Sequence, residues 1–265
     1  MPSPQPERRR AAVLGEFGGL GLAIPGHTWS RESWGYRGMP SPEALTRRYV
    51  KLLRKVYQLK NDPGLSAAVY TQTTDLETEC NGLITYDRAV IKPEVEPVAA
   101  ANRGHFPPEP KIVTVVPCAQ QQAVLWRYTT EKPPRDWMQP DFDDRAWRQG
   151  PGGFGRKGTP GAVVRTEWTT DHIWIRRSFE LKTPPSDRLC LWIHHDEDAE
   201  VFLNGVLAAK IRGYCIEYED REISPEALRT LKPGRNVMAI HCRQTRGGQY
   251  IDAGLIEFVP AEKKR

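Results

Sequence analysis

The chain has 265 residues, and its 38 Lys and Arg against 33 Asp and Glu give a formal charge of +5. That length accommodates one large or two modest domains without disulfide or metal staples, and 22 Gly and 23 Pro point to a loop-rich globular protein. No apolar stretch approaches the roughly 20 residues of a membrane helix, so a membrane-spanning, collagen-like or coiled-coil protein is excluded.

Residues 1–10 read as a disordered tail. The apolar run 11–14, followed by Gly15-Glu16-Phe17-Gly18-Gly19, reads as a short buried strand ending in a Gly-rich turn. A loop with His27, Trp29, Trp34, Tyr36 and Arg37 follows. Ser41-Pro42 supplies a cap with proline at the first helical position, and Leu45, Tyr49, Leu52, Leu53, Val56 and Leu59 recur at helical spacing. Asn61-Asp62-Pro63-Gly64 stops that helix, and 65–72 is a second strand. Strand, loop, helix, strand is a piece of an α/β protein, too short to close a barrel whose eight strand–helix units take roughly 250 residues.

The character changes near residue 105. Residues 106–117 form a linker or first strand, and 118–260 carry short apolar or alternating runs at 123–128, 173–181, 189–194, 200–203, 236–242 and 254–259. Turn signals separate them: Pro184-Pro185, Asn204-Gly205, Pro233-Gly234 and Gly247-Gly248. A short helical turn is expected at 225–228, and the whole reads as an all-β sandwich. Residues 261–265 form a basic tail.

The small positive surplus keeps a protein soluble. Its basic runs, 8–10 and 263–265, sit at the two ends, so they read as solvated tails. No nucleic-acid partner and no membrane partner are expected, and no signal peptide is recognisable. Cys80, Cys118, Cys190, Cys215 and Cys242 are scattered, with no CxxC pair. That usage fits a reducing, cytoplasmic compartment, and Cys190 and Cys242 read as small buried hydrophobes.

Glu16 sits at the end of an apolar strand, where an α/β fold holds a carboxylate at its mouth. Trp29, Trp34 and Tyr36 offer stacking faces for sugar rings, and His27 and Arg37 offer groups for hydroxyls. From the residues alone, a capping or salt-bridged glutamate is the competing reading.

Leu14-Gly15-Glu16-Phe17-Gly18-Gly19-Leu20, His27-Thr28-Trp29 and Trp34-Gly35-Tyr36-Arg37 resemble the C-terminal end of the catalytic barrel of glycoside hydrolase family 2. So do Tyr70-Thr71-Gln72-Thr73-Thr74-Asp75, Asn81-Gly82-Leu83 and Tyr86-Asp87-Arg88, which match its last barrel strand and the loop beyond. The resemblance covers about 11–105 and implies the C-terminal fragment of a (β/α)8 barrel. It implies Glu16 as nucleophile of a retaining β-glycosidase, with His27, Trp29, Trp34, Tyr36, Arg37, Gln72 and Asp75 contacting carbohydrate. Gly15 stands where the family commonly has serine.

The family's acid/base glutamate follows an asparagine well upstream of the nucleophile, and the 15 residues before Glu16 hold no Asn-Glu pair. A retaining mechanism needs two carboxyl groups about 5 Å apart, and Glu77 and Glu79 are poor substitutes by family position. The chain is therefore expected to be an inactive C-terminal fragment whose partner is the missing upstream part of the enzyme.

The second part resembles the galactose-binding-like jelly-roll modules attached to such hydrolases. The carried features are Asp141-Phe142-Asp143-Asp144, Trp147, Gly152-Gly153-Phe154-Gly155, Trp174-Ile175-Arg176-Arg177 and Asp196-Glu197-Asp198-Ala199-Glu200 through Asn204-Gly205. Trp147, Trp174 and Trp192 read as core rather than sugar-binding. No cofactor is expected. The acidic set Asp196, Glu197, Asp198 and Glu200 suits calcium by donor type but lacks EF-hand spacing. Zinc on His194, His195 and His241 is disfavoured, because adjacent strand residues face opposite ways and at most one of the first two joins a cluster. The alternative to a glycosidase fragment is a non-catalytic carbohydrate-binding or structural sandwich.

Overall fold

The computed structural model describes residues 9–259, apart from 40, 63 and 187. The tail at 1–8, the basic tail at 261–265 and Pro63 of the helix stop lie outside the described residues. The chain divides into two compact units, Met1–Pro108 and Glu109–Arg265.

Unit 1 is mixed α/β. Its elements are β1 (Ala12–Gly18), β2 (Leu20–Gly21), β3 (Arg37–Gly38), α1 (Pro42–Asn61), β4 (Leu65–Thr71) and α2 (Val95–Asn102). β1 pairs in parallel with β4, and β2 in parallel with β3. No closed barrel is formed among the described residues. The α1 start follows from its sequence: the Ser41 side chain accepts the Ala44 N–H, and Pro42 occupies the first turn, where its missing N–H costs nothing. Leu45, Tyr49 and Leu53 are buried, packed with Leu20, Leu22, Met39, Val98 and Ala101. Leu52, Val56 and Leu59 are only half-buried. Helix α2, which supplies Val98 and Ala101, was not expected. Its sequence holds Pro97, and its cap, Glu94, makes no side-chain hydrogen bond, so the usual start signals are weak.

Among the described residues, unit 2 is all-β apart from one short helix. It runs β5 (Lys111–Val116), β6 (Leu125–Thr129), β7 (Arg148–Pro151), β8 (Phe154–Gly155), β9 (Thr166–Glu167), β10 (His172–Leu181), β11 (Leu189–Asp196), β12 (Asp198–Leu203), β13 (Val206–Ile211), β14 (Glu219–Glu222), α3 (Pro225–Leu228), β15 (Gly234–Arg243) and β16 (Tyr250–Val259). One six-stranded antiparallel sheet has the order β13-β12-β15-β10-β6-β7. The other has the order β14-β11-β16-β8-β9, with β5 also pairing β16. Ile173, Ile175, Val201, Met238 and Ile240 from the first sheet share one core with Leu191, Ile193, Ile251 and Leu255 from the second.

Alternation sends the next residues of the first sheet to its opposite face. There Trp174, Phe202 and Ala239 pack under Trp137, Phe142 and Trp147. Arg176, buried on the same face, is held by Asp144 at 3.0 Å and by the carbonyls of Trp137 and Gln139. The β12–β13 hairpin turns on Asn204 and Gly205, both at positive φ (+47° and +85°), as a two-residue turn of this hand requires. β14 escaped the sequence reading because Glu-Asp-Arg-Glu has no apolar alternation. It is an edge strand, where charged side chains discourage further pairing.

Candidate functional site

The parallel pairing of β1 and β4 sets their C-terminal ends side by side, with Phe17 opposite Tyr70 and Gly18 opposite Thr71. Between Leu14 and Phe17 the register slips by one, because two residues of β1, Gly15 and Glu16, face one of β4. Such a bulge re-aims a side chain. Glu16 is exposed, and its Oε1 accepts the Thr71 hydroxyl at 3.0 Å.

The Gly-rich turn brings the aromatic loop to the same end. Gly18 has φ +111°, and a Cβ there would lie 2.3 Å from the Tyr70 ring, so only glycine fits. Gly19 carries the Tyr36 ring against it and donates its N–H to Thr71 O at 2.9 Å. Trp34 and Tyr36 meet edge to face at 5.2 Å and remain exposed. Asn81, which sequence reasoning did not single out as a site residue, ties this end together. Its side-chain oxygen accepts the Tyr36 N–H, its carbonyl accepts the Gln72 N–H, and its amide donates to Glu79.

A second group forms around the loop that follows β4. His27 Nδ1 lies 2.7 Å from Asp87 Oδ2, and Trp29 packs edge-on to Tyr86 at 4.8 Å. Hydrogen bonds from the Thr85 hydroxyl, His27 and the Ala89 N–H hold the exposed Asp87 carboxyl down at about 2. The Asp87 carboxylate, an anion throughout the neutral range, therefore orients the His27 ring. Arg37 enters the β2–β3 pair through its backbone, its N–H donating to Gly19 O.

Asp75 is placed differently from the others. It is buried, and its Oδ1 accepts Lys92 Nζ at 2.6 Å and the Gly82 N–H at 2.8 Å, while Lys92 also donates to Cys80 O. Its chemistry in this arrangement is to knit the loop 72–92.

In unit 2 the acidic stretch disperses. Asp198 accepts the Gly213 N–H, Glu200 pairs with Lys210 at 2.7 Å, and Asp196 is buried beside Gly248. His194 packs against Tyr218 and Tyr250, whereas His241 stacks on Trp174 and His172. A pocket of about 400 Å³ beside His241 is lined by charged groups, among them Asp198, Glu200, Lys210 and Arg243. Trp192 stacks on Tyr218 and donates to Gln120. None of the five cysteines is in a disulfide, and Cys190 and Cys242 are buried.

No helix among the described residues is long and apolar enough to cross a membrane. No family model matches the chain, and no curated protein does. Among solved structures, the chain is similar to a β-glucuronidase from glycoside hydrolase family 2 at 14% identity and TM-score 0.35, over 55% of this chain and 18% of that one. It is similar to a β-glycosidase from Bacteroides vulgatus at 15% identity and TM-score 0.33, over 55% and 20%. For a β-glucuronidase of an uncultured Clostridium the figures are 11%, 0.35, 58% and 30%. The chain thus spans less than a third of the length of each, and a likeness at these TM-scores carries no argument about what it does.

Proposed function

We propose that the chain is the C-terminal portion of a retaining β-glycosidase of the family 2 type, with Glu16 as its nucleophile and a galactose-binding-like jelly roll as unit 2. The observation that carries this reading is Glu16 on a bulge where two parallel strands end, held by Thr71, with the exposed Trp34–Tyr36 pair against Gly19 of the turn that follows. A carboxylate so placed attacks an anomeric carbon, while the aromatic faces take the apolar C–H side of a sugar ring. Trp29, His27, Arg37 and Gln72 contribute to the same carbohydrate contact, and Asp75 serves it by holding the loop.

Attack by Glu16 needs a second carboxyl group about 5 Å away to protonate the leaving oxygen. Among the described residues Glu16 meets the Thr71 hydroxyl, and Glu79 accepts the Asn81 amide. In this proposal the acid/base group is supplied by the upstream part of the enzyme, which is the partner. The test is the purified chain against aryl β-glucuronide, β-galactoside and β-mannoside. No turnover is expected. Turnover that Glu16→Gln abolishes would place both carboxyl groups within this chain and overturn the proposal of a divided site. Turnover that Glu16→Gln leaves intact would remove Glu16 from the chemistry.

A further inference from the structure

We propose that His195, Cys215 and Glu219 of unit 2 form a zinc-binding site. Among the described residues they are the one group of three His, Cys, Asp or Glu side chains whose ligand atoms all lie within 4.8 Å of one another. Sheet geometry brings them together. β11 and β14 pair with Ile193 opposite Glu219, so Glu219 shares a face with Ile193 and with His195 two residues on. Beyond β13 the chain returns alongside β11: Tyr214 bridges Asp196, and the Cys215 N–H donates to His195 O at 3.0 Å. Cys215 Sγ is thereby set beside the His195 backbone, 3.4 Å from its N.

The His195 ring supplies the independent observation. Its Nδ1 lies 2.7 Å from Glu197 O and 3.0 Å from Gly213 O. Both are acceptors, so Nδ1 carries the proton and donates. Nε2 is then the nitrogen available to a ligand, and it has no hydrogen-bond partner although the residue is 1% exposed. Glu219 Oε1, at 3.8 Å, is beyond hydrogen-bond reach. A metal-ligating histidine characteristically donates its other ring N–H to a carbonyl or carboxylate, as here. Arg221 pairs with Glu219 and orients its carboxylate, the usual outer partner of a ligating oxygen.

The donor set selects the ion. Thiolate, imidazole and carboxylate suit zinc, whereas calcium and magnesium want oxygen alone. In a tetrahedral site with bonds of about 2.0–2.3 Å, ligand atoms stand roughly 3.3–3.6 Å apart, so the present spacing closes on an ion with small side-chain movement. Three protein ligands leave a fourth position for water. Entry is from the segment around Cys215, where the neighbouring Tyr214 and Ile216 are exposed. The bound ion would pin the β13–β14 connection to the end of β11.

The whole chain, stripped with a chelator and titrated with zinc or cobalt(II), tests this. One equivalent of cobalt should bind with a sulfur-to-cobalt charge-transfer band. Cys215→Ser should abolish the band, whereas Cys190→Ser should keep it. Should Cys215→Ser not fold, Glu219→Gln is read instead: the band persists while zinc affinity falls by at least about tenfold. A folded chain that takes up no cobalt, a band that survives Cys215→Ser, or unchanged zinc affinity in Glu219→Gln would each overturn the site.

Discussion

β4 and β11 are strands of seven and eight residues with comparable apolar content, yet none of β4 is fully buried and all of β11 except Trp192 is. The difference lies in what covers them. β11 has a strand on each side and a second sheet over its core face. Among the described residues β4 has one parallel neighbour, β1, and Val69 and Val13 stand more than half exposed. Parallel strands occur almost only where both faces are covered, so apolar sequence alone does not bury a strand.

The largest expected effect sets the two units directly against each other. Amide exchange in β10, β11, β15 and β16 should follow global unfolding of unit 2, while β1 and β4 should open at a free energy lower by about 5 kcal/mol. Hydrogen exchange by mass spectrometry on dilute chain reads both in one experiment. Equal protection in the two units would break the comparison and show that the β1–β4 pair is sufficient as it stands.

Within unit 1 a buried ion pair joins the loop after β4. The side chains of Lys92 and Asp75 are fully and almost fully buried against each other. Lys92→Met leaves a buried carboxylate without its cation, which is expected to cost about 3–5 kcal/mol. Adding Asp75→Asn should restore part of the loss, because it removes the orphaned charge. Urea unfolding of unit 1, followed by Trp29 and Trp34 fluorescence, measures both. A Lys92→Met chain as stable as the parent would show that the pair contributes little to the loop.

What the sequence made legible followed local rules. Ser41-Pro42 and the spacing from Leu45 to Leu53 marked α1, and Asn204-Gly205 marked its hairpin, because capping and turn chemistry act within a few residues. Glu16 could be placed at a strand end, but not on a bulge, since the bulge arises from pairing with a strand some fifty residues on. Asp75 and Lys92 are 17 residues apart, and neither shows in sequence which charge it will meet. Cys215 was unremarkable for the same reason: its neighbours His195 and Glu219 gather only through the β11–β14 register.

The smallest expected effect is a pH dependence confined to unit 2. Asp252 is buried without exposure, accepting the Ala119 N–H at 2.7 Å and the Tyr218 hydroxyl at 2.8 Å. Burial raises its carboxyl to about 6, against the pull of those two hydrogen bonds and of Arg177. A carboxyl raised in the folded state keeps a proton that the unfolded chain has lost. Stability should therefore fall as pH rises from the ordinary carboxylate value near 4 to about 6, by on the order of 1 kcal/mol per pH unit, and stay level in this respect above it. Other groups titrate in the same window, so the informative quantity is the difference between the parent chain and Asp252→Asn, whose amide oxygen can keep both hydrogen bonds. The variant should lose that part of the slope in urea midpoints measured between pH 4 and 6. Parallel curves would mean that Asp252 is ionised in the folded sandwich, with Arg177 outweighing its burial.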